Sequence, residues 1–251
     1  PRLTLSEARD RVRALGSGQD ADFNHYYRTS AGDCSHGNCA AWEMVGWQIS
    51  DGPSYSGAAR QPLSSDIASA RCAAPAAIGV IDTGINPDHD ILKGARLTLL
   101  PRGDGAGSGA VHGTAVVSLL IGREESRVPG LVPGAEVVAV DVFRADQGEE
   151  CANVVDLVEG LDLLAGRALR VYALSLAGPE NAVLARMLDR LTDPAGLDAV
   201  VVAAAGNGGP TAGVAWPAGH PRVLAVTAVD RRGRVYGAAQ RGDHLALAAP
   251  G

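Results

Sequence analysis

Strands alternating with helices along residues 76–251 predict an α/β fold with a mainly parallel central sheet and helices on both faces, preceded by an N-terminal extension over 1–75. Three observations carry this prediction. Short apolar runs such as "AIGVID" are uninterrupted, as in strands buried on both faces. The segments between them have the length and spacing of amphipathic helices. The polar residues of chemical interest fall where the apolar runs stop, at the strand ends where open parallel sheets place their sites.

Each element has its own signal. "LTLSEARDRVRALGSG" sets Leu5, Ala8, Val12 and Leu15 at helical spacing, with Thr4 or Ser6 as cap and Gly16 to Gly18 as stop. Residues 21–50 carry Phe23, Tyr26, Tyr27, Trp42 and Trp47, and 51–71 have the Gly/Ser/Ala/Pro composition of a linker or surface wrap. "AIGVID" is a strand and "LTLLP" another. "GTAVVSLLIG" is helical and "AEVVAVDVF" a strand. "ANVVDLVEGLDLLAG" places Val154, Val155, Val158, Leu161 and Leu164 in helical register. "RVYALSL" is a strand, and "NAVLARMLDRLTD" a helix closed by Pro194. "DAVVVAAAG", "RVLAVTAV" and "HLALAA" are further strands, the last leading into the turn Pro250-Gly251.

Composition bounds the function. The 251 residues are 46% hydrophobic and 20% charged, an ordinary globular balance. A net charge of −6 argues against a nucleic-acid or anionic-membrane surface. No apolar run approaches the roughly 20 residues of a membrane span. Four cysteines, Cys34, Cys39, Cys72 and Cys151, fit disulfides and an extracytoplasmic site without fixing connectivity. Cys34 and Cys39 are near enough to close a small loop, leaving Cys72 with Cys151. A metal reading of "DCSHGNC" lacks the fourth ligand of a closed zinc site.

Three motifs carry chemistry. In "IGVIDTGINPDHD", Asp82 ends a buried strand; turn amides would keep its carboxylate ionised, ready to orient an imidazole. In "VHGTAVVS", His112 opens a helix as a candidate general base. In "VVVAAAGNGGP", Asn207 follows a strand as a neutral amide donor for a developing oxyanion. Each alone has a plainer reading: a strand-ending turn, an unremarkable His-Gly-Thr and an Asn-Gly turn. As an ordered set they are far more specific.

With "SLAGP", "WPAGHP", "AVTAVD" and "LAAPG" in the same order, residues 76–251 resemble the subtilisin-like serine proteases, the subtilases of peptidase family S8. The resemblance implies a three-layer subtilisin-like fold, with Asp82 as the aspartate of a catalytic triad, His112 as its general base and Asn207 as oxyanion donor. It also implies a cleft lined by Leu174, Ser175, Leu176, Ala177 and Gly178 that pairs with an extended polypeptide substrate. Ala204, Ala205 and Gly206 would form one wall of the pocket for the residue before the scissile bond, and Ala215 its floor. No acidic residue stands at these positions, so that pocket is expected to be apolar.

The departures matter equally. The family's nucleophile lies in Gly-Thr-Ser-x-Ala, and no Gly-Thr-Ser occurs among these residues. The serine is therefore expected beyond residue 251, with the 251 residues inactive alone. The alternative is a non-catalytic pseudoprotease or peptide-binding module. A prodomain remnant in the extension, or a C-terminal fragment of the same protein, is the expected intramolecular partner. The expected location is secreted or periplasmic. No cofactor is expected: calcium is frequent in the family, but Ile91 stands where an Asp ligand is common, and "GREESRVPG" offers only Glu124 and Glu125.

Overall fold

The structure is a computed structural model that describes residues 3–30, 77–101, 107–126, 129–146, 149–230 and 232–251. Its centre is strand β2 (Ala77–Asp82), whose last four residues are all buried. A strand covered on both faces needs this uninterrupted apolar run. β2 lies between β4 (Glu136–Asp141) and β7 (Val171–Leu174) in a seven-stranded sheet. That sheet is completed by β3 (Arg96–Leu100), β9 (Val200–Ala204), β10 (Leu224–Val229) and β11 (Leu245–Pro250). The spatial order is β11-β10-β9-β7-β2-β4-β3, and every pairing is parallel.

Parallel neighbours require crossovers; helices supply those from β3 to β4 and from β7 to β9, while no helix stands between β9 and β10. Helix α2 (Val111–Ile121) covers one face, burying Val117 and Ile121 against Val80, Val137 and Ala139. Helices α3 (Val154–Ala165) and α4 (Ala182–Thr192) cover the other, with Leu157, Leu161, Leu164, Leu184, Leu188 and Leu191 in the larger core. Gly160 permits the close approach of α3: a Cβ there would lie 2.5 Å from Val142 Cγ1. Asn153 caps α3 through Asp156 N, and Asn181 caps α4 through Val183 N and Leu184 N.

A second sheet, absent from the sequence reading, has four antiparallel strands. It runs β5 (Arg144–Asp146), β6 (Glu149–Asn153), β1 (Tyr26–Thr29), β8 (Leu176–Ala177). Its strands have two to five residues, too short for alternation to declare itself. Helix α1 (Leu5–Arg13) precedes it, closed by a Thr4–Glu7 capping box, but buries none of its residues. The apolar side read at Leu5, Ala8, Val12 and Leu15 is therefore not a core face: Leu5, Val12 and Leu15 are exposed, Leu5 to 79%. Cys151 is a free thiol in β6. Cys34, Cys39, Cys72, Trp42, Trp47 and the linker read over 51–71 lie outside the described residues.

Candidate active site

β2 delivers Asp82 to the carboxyl end of the sheet with its side chain 1% exposed. A buried carboxylate needs donors; Oδ2 has none among the described residues, while Oδ1 takes two. Thr83 N donates to it at 2.7 Å, and His112 Nδ1 lies 2.5 Å away. Because an ionised carboxylate only accepts, Nδ1 carries the hydrogen and Nε2 keeps its lone pair. His112 is 16% exposed, enough to present that nitrogen to a substrate.

The dyad is held by the two segments that carry it. Thr83 Oγ1 accepts from Gly113 N at 2.9 Å, locking the start of α2 onto the loop after β2. A Cβ at Gly113 would lie 2.5 Å from Thr83 O and 2.6 Å from Gly84 O, so only glycine fits. Thr114 Oγ1 donates to Ala110 O and accepts from Asn86 N, a second tie between the same segments.

The sequence reading missed Asp141. It ends β4 beside Asp82 in register. Its carboxylate accepts from Ser108 N, Ser108 Oγ and Phe143 N at 2.8, 2.9 and 2.9 Å. Ser108 Oγ in turn accepts from Gly84 N. Asp141 thus braces the loop that follows Asp82. The available signal was its place at the end of "VVAVD", the feature that singled out Asp82.

The residues expected to line the cleft fall on one side of this site. Leu174 ends β7, Ser175 bridges to β8, and Leu176 and Ala177 form β8. Gly178 pairs with Trp216, exchanging both backbone hydrogen bonds at 2.9 Å. Ala204 ends β9, and Ala205 is buried with its N–H on Val226 O. Gly206 follows at a φ of 98°, in the left-handed region. Asn207 is exposed at the same end of the sheet.

Gln240, also missed, ties these walls together from inside. It is 5% exposed. Its Oε1 accepts from Ala215 N at 3.2 Å, its Nε2 donates to Gly213 O at 2.9 Å, and its backbone N donates to Gly206 O at 3.0 Å. Nothing in "GAAQRGD" distinguishes such a glutamine from a surface one.

Three other histidines have local tasks. His25 stacks edge-on to Phe23 and meets Asn181 Nδ2 at 3.2 Å. His89 Nδ1 accepts from Ile91 N, capping a short 3₁₀ turn. His220 is buried, and that burial pulls its pKa below the usual imidazole value despite Asp189 nearby. Among the described residues, no group of three or more His, Cys, Asp or Glu converges as a metal site, and no helix is long and apolar enough to cross a membrane.

Comparison with known proteins agrees with this geometry. Residues 75–251 match the profile described as the subtilase family, Peptidase_S8. The chain is similar to subtilisin E of Bacillus subtilis (strain 168), 28% identical over 181 residues, which cover 69% of this chain and 46% of the relative. It is similar to the thermostable alkaline protease of Halalkalibacterium halodurans, 29% identical over 70% of this chain and 47% of the relative. It thus spans about half the length of these curated relatives. Among solved structures, the prenylagaramide maturation protease PagA matches with a TM-score of 0.63 and 26% identity, over 74% of this chain and 66% of that one. The patellamide maturation protease PatA matches at 0.60 and 28%, over 69% and 65%. The family profile covers most of the chain, and the parallel sheet carries the Asp82–His112 pair at its carboxyl end: the chain belongs to the subtilase family of peptidases.

Proposed function

We propose that the protein is a subtilisin-like serine endopeptidase acting on extended polypeptides outside the cytoplasm, either secreted or periplasmic. The observation that carries this is the 2.5 Å contact between His112 Nδ1 and buried Asp82 Oδ1, which leaves Nε2 free to take a proton. In this reading a serine from sequence beyond these 251 residues gives its hydroxyl proton to His112 Nε2 as its oxygen attacks the scissile carbonyl. Asp82 stays ionised and stabilises the imidazolium that forms. Asn207, with a backbone amide, receives the developing oxyanion. His112 then returns the proton to the leaving amine, and water repeats the sequence to release the acyl group. The substrate adds as a strand along Ser175–Gly178.

One observation favours a second reading: these 251 residues hold no Gly-Thr-Ser, so this stretch by itself is a non-catalytic polypeptide binder. The discriminating experiment combines intact mass with fluorophosphonate labelling of the protein as produced by its source. A species heavier than 25.6 kDa, or a second fragment, that labels in the wild type but not in His112→Ala supports the peptidase. A single 25.6 kDa species that never labels leaves the binder.

A further inference from the structure

Helix α2 starts without a cap of its own. Ala110, at its N-cap, makes no side-chain cap bond, yet the helix must hold His112 at its second position, 2.5 Å from Asp82 Oδ1. The first amides of a helix have no partner within it. Here the partners around the helix start come from other segments. Gly113 N donates to Thr83 Oγ1 at 2.9 Å. Ahead of the helix, two consecutive amides go to two carboxylates. Ser108 N donates to Asp141 Oδ2 at 2.8 Å, and Gly109 N donates to Glu150 Oε1.

The two carboxylates stand on different elements. Asp141 ends β4, in register with Asp82 at the end of β2. Glu150 lies in β6, whose hairpin partner β5 is tied to α3: Arg144 donates to both carboxylate oxygens of Asp156, at 2.8 and 3.1 Å. Asp141 also reaches the other half of the pair. Ser108 Oγ donates to Asp141 Oδ1 at 2.9 Å and accepts from Gly84 N at 2.9 Å. The amide just before, Thr83 N, donates to Asp82 itself. One strand end thus holds both the segment after Asp82 and the segment before His112. The two segments are in close contact: a Cβ at Gly84 would lie 3.1 Å from Ser108 O and 3.3 Å from Gly109 O.

We propose that Asp141 and Glu150 are positioning residues for His112: they hold the two amides ahead of α2 so that His112 Nδ1 meets Asp82 and Nε2 faces the nucleophile. The proposal deepens the peptidase reading and rests on it for the reaction. Neither carboxylate is bonded to the imidazole, so each acts through the place of His112, and a misplacement of about 1 Å costs a reaction about a hundredfold. The two supply different things. Asp141 accepts with both oxygens, so an amide, which turns one of them into a donor, cannot replace it. Glu150 accepts from Gly109 N through one oxygen, so glutamine can.

Three variants of the full-length protein test it: Asp141→Asn, Glu150→Ala and Glu150→Gln. One readout needs no hydrolysis. The proton on His112 Nδ1, shifted far downfield in NMR by its short contact with Asp82, reports the pair directly. Asp141→Asn and Glu150→Ala should each weaken or lose that resonance. They should also lower kcat, by about a hundredfold and about tenfold, with KM within about twofold of the wild type. Glu150→Gln should stay near the wild type in both. Amide exchange in β2, β4 and β7 should remain slow in all three. An unchanged Nδ1 resonance in Asp141→Asn and Glu150→Ala overturns the proposal, and so does a Glu150→Gln as impaired as Glu150→Ala. Loss of exchange protection across β2, β4 and β7 in step with the loss of activity also overturns it, because both residues would then be ordinary supports of the fold. If Asp141→Asn does not fold, the two Glu150 variants decide. Resonance changes as expected, in a full-length protein that neither takes fluorophosphonate nor cleaves any peptide, would instead sink the peptidase reading and leave the placement of His112 standing.

Discussion

Asp82 stands in a site 1% exposed, where Thr83 N donates to it and His112 Nδ1 lies 2.5 Å away. Replacing it by Asn keeps the shape but removes the charge and lets the amide oppose the Nδ1–H tautomer. On the peptidase reading, Asp82→Asn is expected to lower kcat by about 10⁴-fold with KM little changed, measured on any cleavable peptide. An effect on KM alone would mean that the carboxylate positions substrate rather than the imidazole. Tyr172 offers the opposite case. It is fully buried, and its hydroxyl has no hydrogen-bond partner among the described residues. An unsatisfied buried hydroxyl costs stability, so Tyr172→Phe should leave the urea midpoint unchanged or raise it. A drop of more than about 1 kcal/mol would reveal a partner for that hydroxyl.

Helix starts do much of the positioning. Asn181, fully buried, caps α4 with two accepted bonds and donates to Phe23 O, so it joins the helix to the N-terminal segment. Asn181→Ala removes the cap and strands the Phe23 carbonyl, at a cost of about 2–3 kcal/mol in urea denaturation. A cost under about 1 kcal/mol would mean that water takes over both tasks. The long, strongly patterned elements were legible in the sequence. β2 and β4 declared themselves by unbroken apolar runs, α3 by its spacing and α4 by the Pro194 that closes it. Asp82 and His112 were legible because motif order places them on adjoining segments. The second sheet was not, since a two-residue strand such as Leu176–Ala177 carries no period, and the pairing of β1 with β8 spans most of the chain. Gln240 was illegible as a brace because its partners are backbone groups brought close only by folding, and Asp141 showed only its place at a strand end, since Ser108 and Phe143 reach it through the fold.

Across the whole molecule, two buried groups set opposite limits on pH. Burial lowers the pKa of His220, so the native state holds it neutral while the unfolded chain takes up a proton below about pH 6.5. The unfolded state then binds more protons, and stability falls as pH drops through that value. Burial raises the pKa of Tyr27, with the nearby Asp22 charge adding to it, so the native state keeps the phenol protonated where the unfolded chain loses its proton, above about pH 10. There the native state binds more protons, and stability falls as pH rises. Tyr172, also raised by burial, works in the same direction. The urea midpoint should therefore be flat between about pH 7 and 10 and decline on both sides. His220→Asn, whose side-chain oxygen can still accept from Arg222 N as Nδ1 does, should flatten the acid limb alone. Tyr27→Phe should flatten part of the alkaline limb alone. If both variants trace the wild-type curve, the limbs arise from exposed charges, which salt would screen and which a chain of net charge −6 has in number.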